Sequence, residues 1–400
     1  MLEYLPLILA GCLAGTITGL TPGLHVNTVC LIGLSLYAGL GLDAIEFSVF
    51  MVAMAITQQF LDFIPAIFLG VPEEETALSI LPAHRLLMEG KALEAVKLTG
   101  YGCLMGVVFG LLLLLPALYV IPIIYHWIRG FVVYVIALAA LFLMMREGGW
   151  SGRLWAAIIF LVSGALGSLT LNLEGISSTY VLFPVFAGLF GLSSILYSMK
   201  SEPRNIPQEE YARVEFDREV IGGGLSGAIG GMVVGVLPAM SPSQIGIIMS
   251  GVFGSSLRGF LVSVSAINTS DAMYSIISLY TINNARSGVA VMIGRILEMD
   301  YSLMVLFVGV FCVSAVIALF LHIEIGKRAN MYFKLVDYRL LSAAVVAFIL
   351  TLVYVMTGWL GLLISIVSTA IGMLPIMSGV SRTHLMGVLI IPTIFFFLGL

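Results

Sequence analysis

Apolar residues in this chain come in blocks rather than stripes. Runs almost free of charge cover about 5–20, 24–41, 47–71, 99–123, 130–145, 154–172 and 178–198. A second set covers about 221–237, 243–257, 260–282, 302–323, 339–357, 359–376 and 383–400. A helix needs roughly 20 residues to cross the hydrocarbon core of a bilayer, so most of these blocks predict membrane-spanning helices. The first two blocks of each set are short and meet at a proline. They predict either two spans or a re-entrant helical hairpin. Between the sets lies the longest polar run, Lys200 to Glu219 (KSEPRNIPQEEYARVEFDRE), which reads as the natural linker.

Seven blocks, a linker and seven more blocks suggest a duplication. Gly11, Gly15, Gly19 and Pro22 recur 216 positions later as Gly227, Gly231, Gly235 and Pro238. Arg85 in HRLLMEG matches Arg295 in GRILEMD, and Pro184 with Gly191-Leu192 matches Pro392 with Gly399-Leu400. The predicted organisation is a first membrane repeat (1–198), a charged linker (199–220) and a second membrane repeat (221–400). The fold class is an all-α polytopic membrane protein. Whether the first two blocks span or re-enter, they cross an even number of times and the remaining five an odd number, so the two repeats are expected to be inverted.

Composition removes other classes. The 400 residues are 60% hydrophobic and 10% charged, too few charges to cover a soluble surface of this size. Mean hydropathy is +1.11. The net charge of −4 offers no basic footprint for nucleic acid. Cys12, Cys30, Cys103 and Cys312 all fall inside apolar blocks and read as small core residues. Met1-Leu2-Glu3 has no basic stretch before the first apolar block, so no cleaved leader is expected.

The charges predict an orientation. Loops 72–98, 146–153 and 199–219 hold Arg85, Lys91, Lys97, Arg146, Arg153, Lys200, Arg204, Arg213 and Arg218, whereas loops 124–129 and 173–177 hold only Arg129. Counting onward, Arg258, Lys327, Arg328, Lys334, Arg339 and Arg382 join the first side, and Arg286 and Arg295 the other. The expected location is the cell membrane, with the linker cytoplasmic and both termini outside.

Three features could carry chemistry. The first is the pair of proline turns, GLTPGLHVNT and GVLPAMSPSQ. Each follows a glycine ladder and precedes small polar residues at a helix start, where free N–H groups and a partial positive charge suit an anion. The candidate anion ligands are Thr21, Pro22, Gly23, His25, Asn27 and Thr28, with Pro238, Ser241, Ser243 and Gln244. A proline kink packed through a Gly-x-x-x-Gly face would leave the same residues. The second is intramembrane acid. Asp62 follows Thr57, Gln58 and Gln59, and Asp271 follows Asn268, Thr269 and Ser270. A carboxylate at that depth is costly and faces a partner or a cavity. These groups could hold Na⁺ or carry H⁺, or form a polar seam between helices. Paired at an offset of 209, the two acids read as symmetry mates. The third is Gly70-Val71-Pro72-Glu73-Glu74-Glu75-Thr76 with its counterpart Asn283-Asn284-Ala285-Arg286, a solvated boundary as readily as a site. The stretch 84–97 reads as an amphipathic interfacial segment. Its Arg85, and Arg295 in the other half, could touch an anion or snorkel to head groups.

Other patterns are decoys. Gly222-Gly223-Gly224-Leu225-Ser226-Gly227 fits G-x-G-x-x-G but lies in an apolar block with no preceding strand. Gly224-Leu225-Ser226-Gly227 fits the G-x-S-G of intramembrane serine proteases. The glycine ladder accounts for both.

LAGTITGLTPGLHVNT and FLGVPEEETALSILPAHRLLMEGKALEAV resemble the large membrane subunit of tripartite tricarboxylate transporters, whose archaeal branch is known as a domain of unknown function. Family members carry a similar proline-glycine turn after a glycine ladder. They also carry a similar proline turn leading to a Pro…Arg…Gly-Lys-Ala segment. The resemblance covers the layout of the whole chain and places Pro22, Gly23, Pro72 and Arg85 on motif positions. His25 and Glu73 depart from it, standing where a small residue and a glycine are commoner. The resemblance implies a small membrane subunit and an extracytoplasmic binding protein as partners. The expected function is ion-coupled secondary transport of a small organic anion, di- or tricarboxylate-like, with no cofactor and no enzymatic activity. Further copies of the chain are possible partners beside membrane lipids. The alternatives are a polyprenyl-phosphate lipid translocase and, from another class, an intramembrane enzyme built on Ser226 and a histidine.

Overall fold

The computed structural model of the chain describes all residues except 1, 22–25, 27–28, 31–32, 35–36, 38–40, 70–79, 129, 174–177, 200–206, 236–241, 254–255, 286, 333–337 and 400. The first half holds α1 (Leu5–Leu20), α2 (Ala44–Leu61), α3 (Phe63–Leu69), α4 (Ile80–Met88), α5 (Ala92–Leu112), α6 (Leu114–Ile128), α7 (Val132–Met145), α8 (Gly149–Leu171), α9 (Ser178–Phe186) and α10 (Ser193–Ser198). The second holds α11 (Arg218–Val234), α12 (Pro242–Phe253), α13 (Leu257–Ile282), α14 (Gly288–Ile296), α15 (Tyr301–Tyr332), α16 (Tyr338–Ser378) and α17 (Gly387–Leu398). No strand occurs among the described residues. Among the described residues, six helices are long and apolar enough to cross a membrane.

Two units of matching length form the centre. α13 runs 26 residues, and α2, Asp62 and α3 together cover the same length, residues 44 to 69. Both start on a side-chain cap: Asp43 accepts from the Glu46 N–H and Ser256 from the Gly259 N–H. Such caps satisfy backbone donors that the first helical turn leaves unpaired. The first unit breaks at Asp62 because Pro65 has no N–H to give the Leu61 carbonyl. No proline interrupts α13.

Each unit carries a glycine-faced helix on one side. A Cβ added at Gly11 would lie 2.5 Å from the Phe50 carbonyl oxygen, at Gly15 2.2 Å from that of Met54, and at Gly19 2.8 Å from that of Gln58. In the second half a Cβ at Gly223 would lie 2.6 Å from the Gly259 oxygen, at Gly227 2.6 Å from the Ser263 oxygen, and at Gly231 2.0 Å from Ser270 Oγ. Numbers rise together on both partners. α1 therefore runs parallel to α2, and α11 parallel to α13. In each pair both helices therefore start at the same level. Between α1 and α2, Val26, Val29, Cys30, Gly33, Leu34 and Tyr37 are helical.

The halves interlock. α5 lies parallel to α13, with Gly102 against Val262 and Ser265, Gly106 against Ala266 and Thr269, and Gly110 against Met273. α15 runs antiparallel to α5, because Gly100 meets His322 while Gly326 meets Val96. Cys12, level with Phe50 and Ala53, lies against Ser314, and the Phe60 carbonyl lies against His322. α2 thus runs with α15, and hence opposite to α13. A second apolar cluster, including Ile136, Ile159, Val185 and Leu385, holds α7–α9 against α16 and α17, apart from the main core.

Several expected blocks differ in detail. The 99–123 block is two helices, α5 and α6, broken at Leu113, since Pro116 cannot donate to the Leu112 carbonyl. The 84–97 stretch is no single interfacial helix. α4 ends at Met88, Gly90 turns at φ +82°, and α5 begins at Ala92 with Ala92, Ala95 and Val96 fully buried. Blocks 339–357 and 359–376 form α16, bent at Gly358 with φ 65°.

The described part of the linker is anchored to both halves. Residues 207–217 form an extended strap, mostly exposed, whose buried side chains are Gln208, Ala212 and Val214. Gln208 is buried, accepting from the Ala92 N–H at 3.1 Å and donating to the Leu87 carbonyl at 2.9 Å. The Glu209 N–H reaches the Gly90 carbonyl (2.8 Å), and the Asn330 amide donates to the Glu209 carbonyl (3.0 Å). Lys97 donates to the Ala212 carbonyl. Beside the strap, Arg258 of the second half bonds Glu94 of the first at 2.7 Å. Gln208→Ala leaves the buried Ala92 N–H without its partner, at about 1–3 kcal/mol, while the Leu87 carbonyl keeps the Gly90 N–H. Its apparent melting temperature in detergent should drop clearly below that of Glu215→Ala, which changes an exposed strap residue. Equal melting points would show that the strap is incidental.

Candidate functional site

The ends of the two glycine-faced helices point at polar stretches of the central units. Gly19 lies on Gln58 and Leu61; Gly235 lies on Tyr274, with the Asp271 carboxylate 3.6 Å from where its Cβ would be. Both contacts fall 14–17 residues from the start of their unit, about 21–26 Å along roughly 39 Å at 1.5 Å per residue. Each helix therefore stops about 13–18 Å short of the far end of its unit.

Thr21 follows α1 directly. Its hydroxyl donates to the Ile17 carbonyl (2.6 Å) and its N–H to the Thr18 carbonyl (3.2 Å), so as a ligand its side chain has only lone pairs left. Pro22, Gly23, His25, Asn27, Thr28, Pro238 and Ser241 lie outside the described residues, as does Pro72-Glu73-Glu74-Glu75-Thr76. Ser243 and Gln244 lie in the first turn of α12, behind Pro242. Arg85 is exposed and paired with Glu89 at 3.2 Å, and Arg295 is exposed in the last turn of α14. The described residues bring neither arginine to the helix ends.

The polar stretches themselves are deeply buried. Thr57, Gln58, Asn268, Thr269 and Ser270 are fully enclosed, Gln59 and Asp62 nearly so, and Asp271 half-buried. Three hydroxyls are committed to backbone. Thr57 donates to the Ala53 carbonyl (2.8 Å), Ser270 to that of Ala266 (2.6 Å), and Thr269 across the halves to that of Cys103 (2.8 Å). The amides differ. Among the described residues, neither side-chain atom of Asn268 has a hydrogen-bond partner, nor has Gln59 Oε1 or the Tyr274 hydroxyl. Leaving such groups unpaired in a dry core costs about 1–3 kcal/mol each, so a cluster of them is a place for an ion, water or ligand. Tyr274 was legible as a neighbour, standing three residues after Asp271 on the same helical face.

The contacts revise the pairing of the two acids. Gly15 lies on Thr57 and Gly231 on Ser270; Gly19 lies on Leu61 and Gly235 on Tyr274. Each pair, like the caps Asp43 and Ser256, is 213 apart. At that offset Asp271 corresponds to Gln58, and Asp62 to Ser275. The acids are not mates at 209 but stand one helical turn out of register, each opposite a neutral side chain. Asp62 lies within electrostatic reach of Cys103, whose thiol faces the Gln59 carbonyl at 3.9 Å.

The decoy motifs resolve into packing. Gly223 and Gly227 are ladder glycines, and the Ser226 hydroxyl donates to the Gly223 carbonyl (3.0 Å) beside Ser263 Oγ (3.4 Å). All four cysteines are free thiols.

Residues 5–387 match the Tripartite tricarboxylate transporter TctA family. The chain is 29% identical over 407 aligned residues to an uncharacterized protein of Methanocaldococcus jannaschii, the alignment covering all of both chains. No solved structure matches it.

Proposed function

The chain belongs to the tripartite tricarboxylate transporter TctA family, and from that premise we propose that it is the membrane-spanning carrier of a small organic anion, di- or tricarboxylate-like, moved by coupling to a cation. One observation supports this most. Two helices enter from opposite ends, each packed by glycines on a central unit. Each stops just past mid-depth beside a polar stretch that carries one acid. Broken helices of inverted repeats place backbone dipoles at a mid-membrane site in this way. In this reading the two repeats are inverted and residues 5–41 and 221–257 form re-entrant hairpins. The turns Thr21–Thr28 and Pro238–Gln244 present N–H groups to the anion, while Asp62 and Asp271, with Asn268, hold Na⁺ or H⁺. The family's tripartite organisation supplies a small membrane subunit and an extracytoplasmic binding protein as partners. Nothing in the fold favours a prenyl-phosphate substrate over this.

The test is a panel of citrate, succinate and malate against a prenyl phosphate, each with and without Na⁺ and a pH gradient. Purified protein in liposomes should take up at least one carboxylate in a gradient-dependent manner. Thermal stabilisation by the prenyl phosphate alone, with no carboxylate uptake, would replace the substrate class.

The orientation has its own test. The strap, the starts of α5 and α13, and the end of α15 gather at one end, bringing Lys97, Arg258, Lys327 and Arg328 together. A cysteine at the exposed position of Glu209 should react with an impermeant maleimide only from the cytoplasmic side. Labelling from outside intact cells would reverse the topology.

A further inference from the structure

Glu147 and His384 close a contact between the two halves that the reading above does not use. Glu147 lies in the turn between α7 and α8, and His384 in the 3-10 turn Arg382–Met386, between α16 and α17 and outside both. His384 Nε2 lies 2.8 Å from Glu147 Oε1, and the same oxygen accepts the Ser381 N–H at 2.8 Å. An ionised carboxylate only accepts, so Nε2 carries a hydrogen. The His384 side chain is 2% exposed and that of Glu147 16%, so the pair is largely cut off from water. The backbone of His384 is held as well. Its carbonyl accepts the Ser163 hydroxyl of α8 at 3.2 Å, and a Cβ at Gly387 would lie 2.2 Å from the Phe160 carbonyl oxygen. The ring is therefore fixed against α8, and the α7–α8 turn is fixed to the ring.

The same turn grips the second half at another point. Arg146, next to Glu147, donates to the Ile247 carbonyl of α12 at 3.0 Å. Val135 and Ala139 of α7 share an apolar cluster with Ile245, Ile248 and Met249 of α12. Few other charges surround the ring. Arg382, in its own turn, donates to Ser193 Oγ at 2.9 Å. On the elements packed against that turn, α8 has Arg153 as its titratable residue, and α7 has the exposed Tyr134 near its start. Neither α17 nor the arm of α16 after Gly358 has any. Enclosure pushes the His384 ring below the ordinary histidine value, and the Glu147 carboxylate pulls it back only in part. The folded chain thus binds this proton less readily than the unfolded one. The stability that the pair contributes is complete above the ordinary histidine value of about 6.5 and is lost as pH falls through the lower folded value.

We propose that Glu147 and His384 form a proton-sensitive clasp between the two halves. With the ring neutral, the α7–α8 turn is seated on the second half. A proton taken up at the ring puts a full charge into an enclosed site, a cost relieved by letting water in and loosening the seat. Through Arg146 the turn also holds α12, whose first turn carries Ser243 and Gln244. On the transport reading above, on which this last step rests, the clasp slows the carrier at acid pH.

The first experiment needs no substrate. Gly148 is exposed, with nothing within 4 Å of an added Cβ, so Gly148→Cys can carry a solvent-sensitive maleimide dye on the full-length protein. Protein without this cysteine is the blank. Dye emission should shift to the red as pH falls below about 6.5, the ordinary histidine value. His384→Gln keeps an amide that can donate to Glu147 but cannot titrate, and it should abolish the shift. His126→Gln, at an exposed histidine, should keep it. Glu147→Gln should move the midpoint to lower pH by about half a unit or more, because a negative neighbour favours the charged ring. A shift that survives His384→Gln, or a midpoint indifferent to Glu147, overturns the clasp. If His384→Gln does not fold, the Glu147→Gln midpoint decides. In liposomes at equal pH on both sides, carboxylate uptake by the wild type should fall about twofold or more relative to His384→Gln between pH 7.5 and 5.5. An unchanged ratio overturns the link to transport. No uptake by either protein would strike the transport reading and leave the dye titration standing, so the two fail separately.

Discussion

Asp62→Asn and Asp271→Asn each abolish cation-coupled uptake, to tenfold or more below wild type, while the protein still reaches the membrane folded. The expectation follows from what the two carboxylates face. Asp62 is nearly fully buried at the break of the first central unit, and Asp271 lies beside the end of α11. Asparagine keeps the shape and one acceptor oxygen, so a carboxylate that only bridged helices would tolerate it. A charge that balances a cation has no such substitute in a dry core. The register adds a finer expectation. Because the acids stand opposite Gln58 and Ser275 rather than each other, the two variants should differ: one alters ion dependence, the other substrate affinity as well. Uptake kinetics at varied Na⁺ and pH, normalised to monodisperse protein, decide it. Wild-type coupling in both would remove the acids from the mechanism.

The second large effect is structural. Gly15→Val should prevent α1 from seating on α2, because a Cβ at that position would come 2.2 Å from the Met54 carbonyl oxygen and 2.8 Å from the Thr57 Cβ. Backbone cannot move aside as a flexible side chain does. Overpacking typically costs about 1–3 kcal/mol, and valine here belongs at the upper end or beyond. Gly222→Val is the control, since nothing lies within 4 Å of a Cβ there although it sits on the corresponding helix of the other half. Size-exclusion profiles and melting curves of the two purified variants should separate widely. A Gly15→Val protein as stable as the control would mean that the ladder is not a packing device.

Much of this was legible before any coordinates. The blocks, the glycine ladders and the proline turns are local signals with a fixed physical meaning, and α1, α7, α8, α11 and α13 fall where they indicate. The failures share a cause. Identical letters at 62 and 271 invited a pairing, but helix register is set by which Cβ meets which backbone, and Ser275 opposite Asp62 carries no letter in common. The caps Asp43 and Ser256 perform one task with different residues and so escape a search for identity. The strap's anchoring escaped notice because charge density was weighed and alternation was not. From Tyr211 to Glu215 exposed and buried residues alternate, with Ala212 and Val214 buried, the period of an extended chain lying on a surface.

The strap also has a mechanical meaning. It is stapled to the Leu87–Ala92 turn by Gln208 and Glu209, to α5 by Lys97 and to α15 by Asn330, with Arg258–Glu94 closing the same end. Helices clamped at one end pivot there, and a pivot turns small rotations into larger excursions at the far end. Any rocking of the halves during a cycle is then least at the strap and greatest at the end of α13 and the start of α2, so a bulky label near Ile282 should hinder turnover far more than one on the strap.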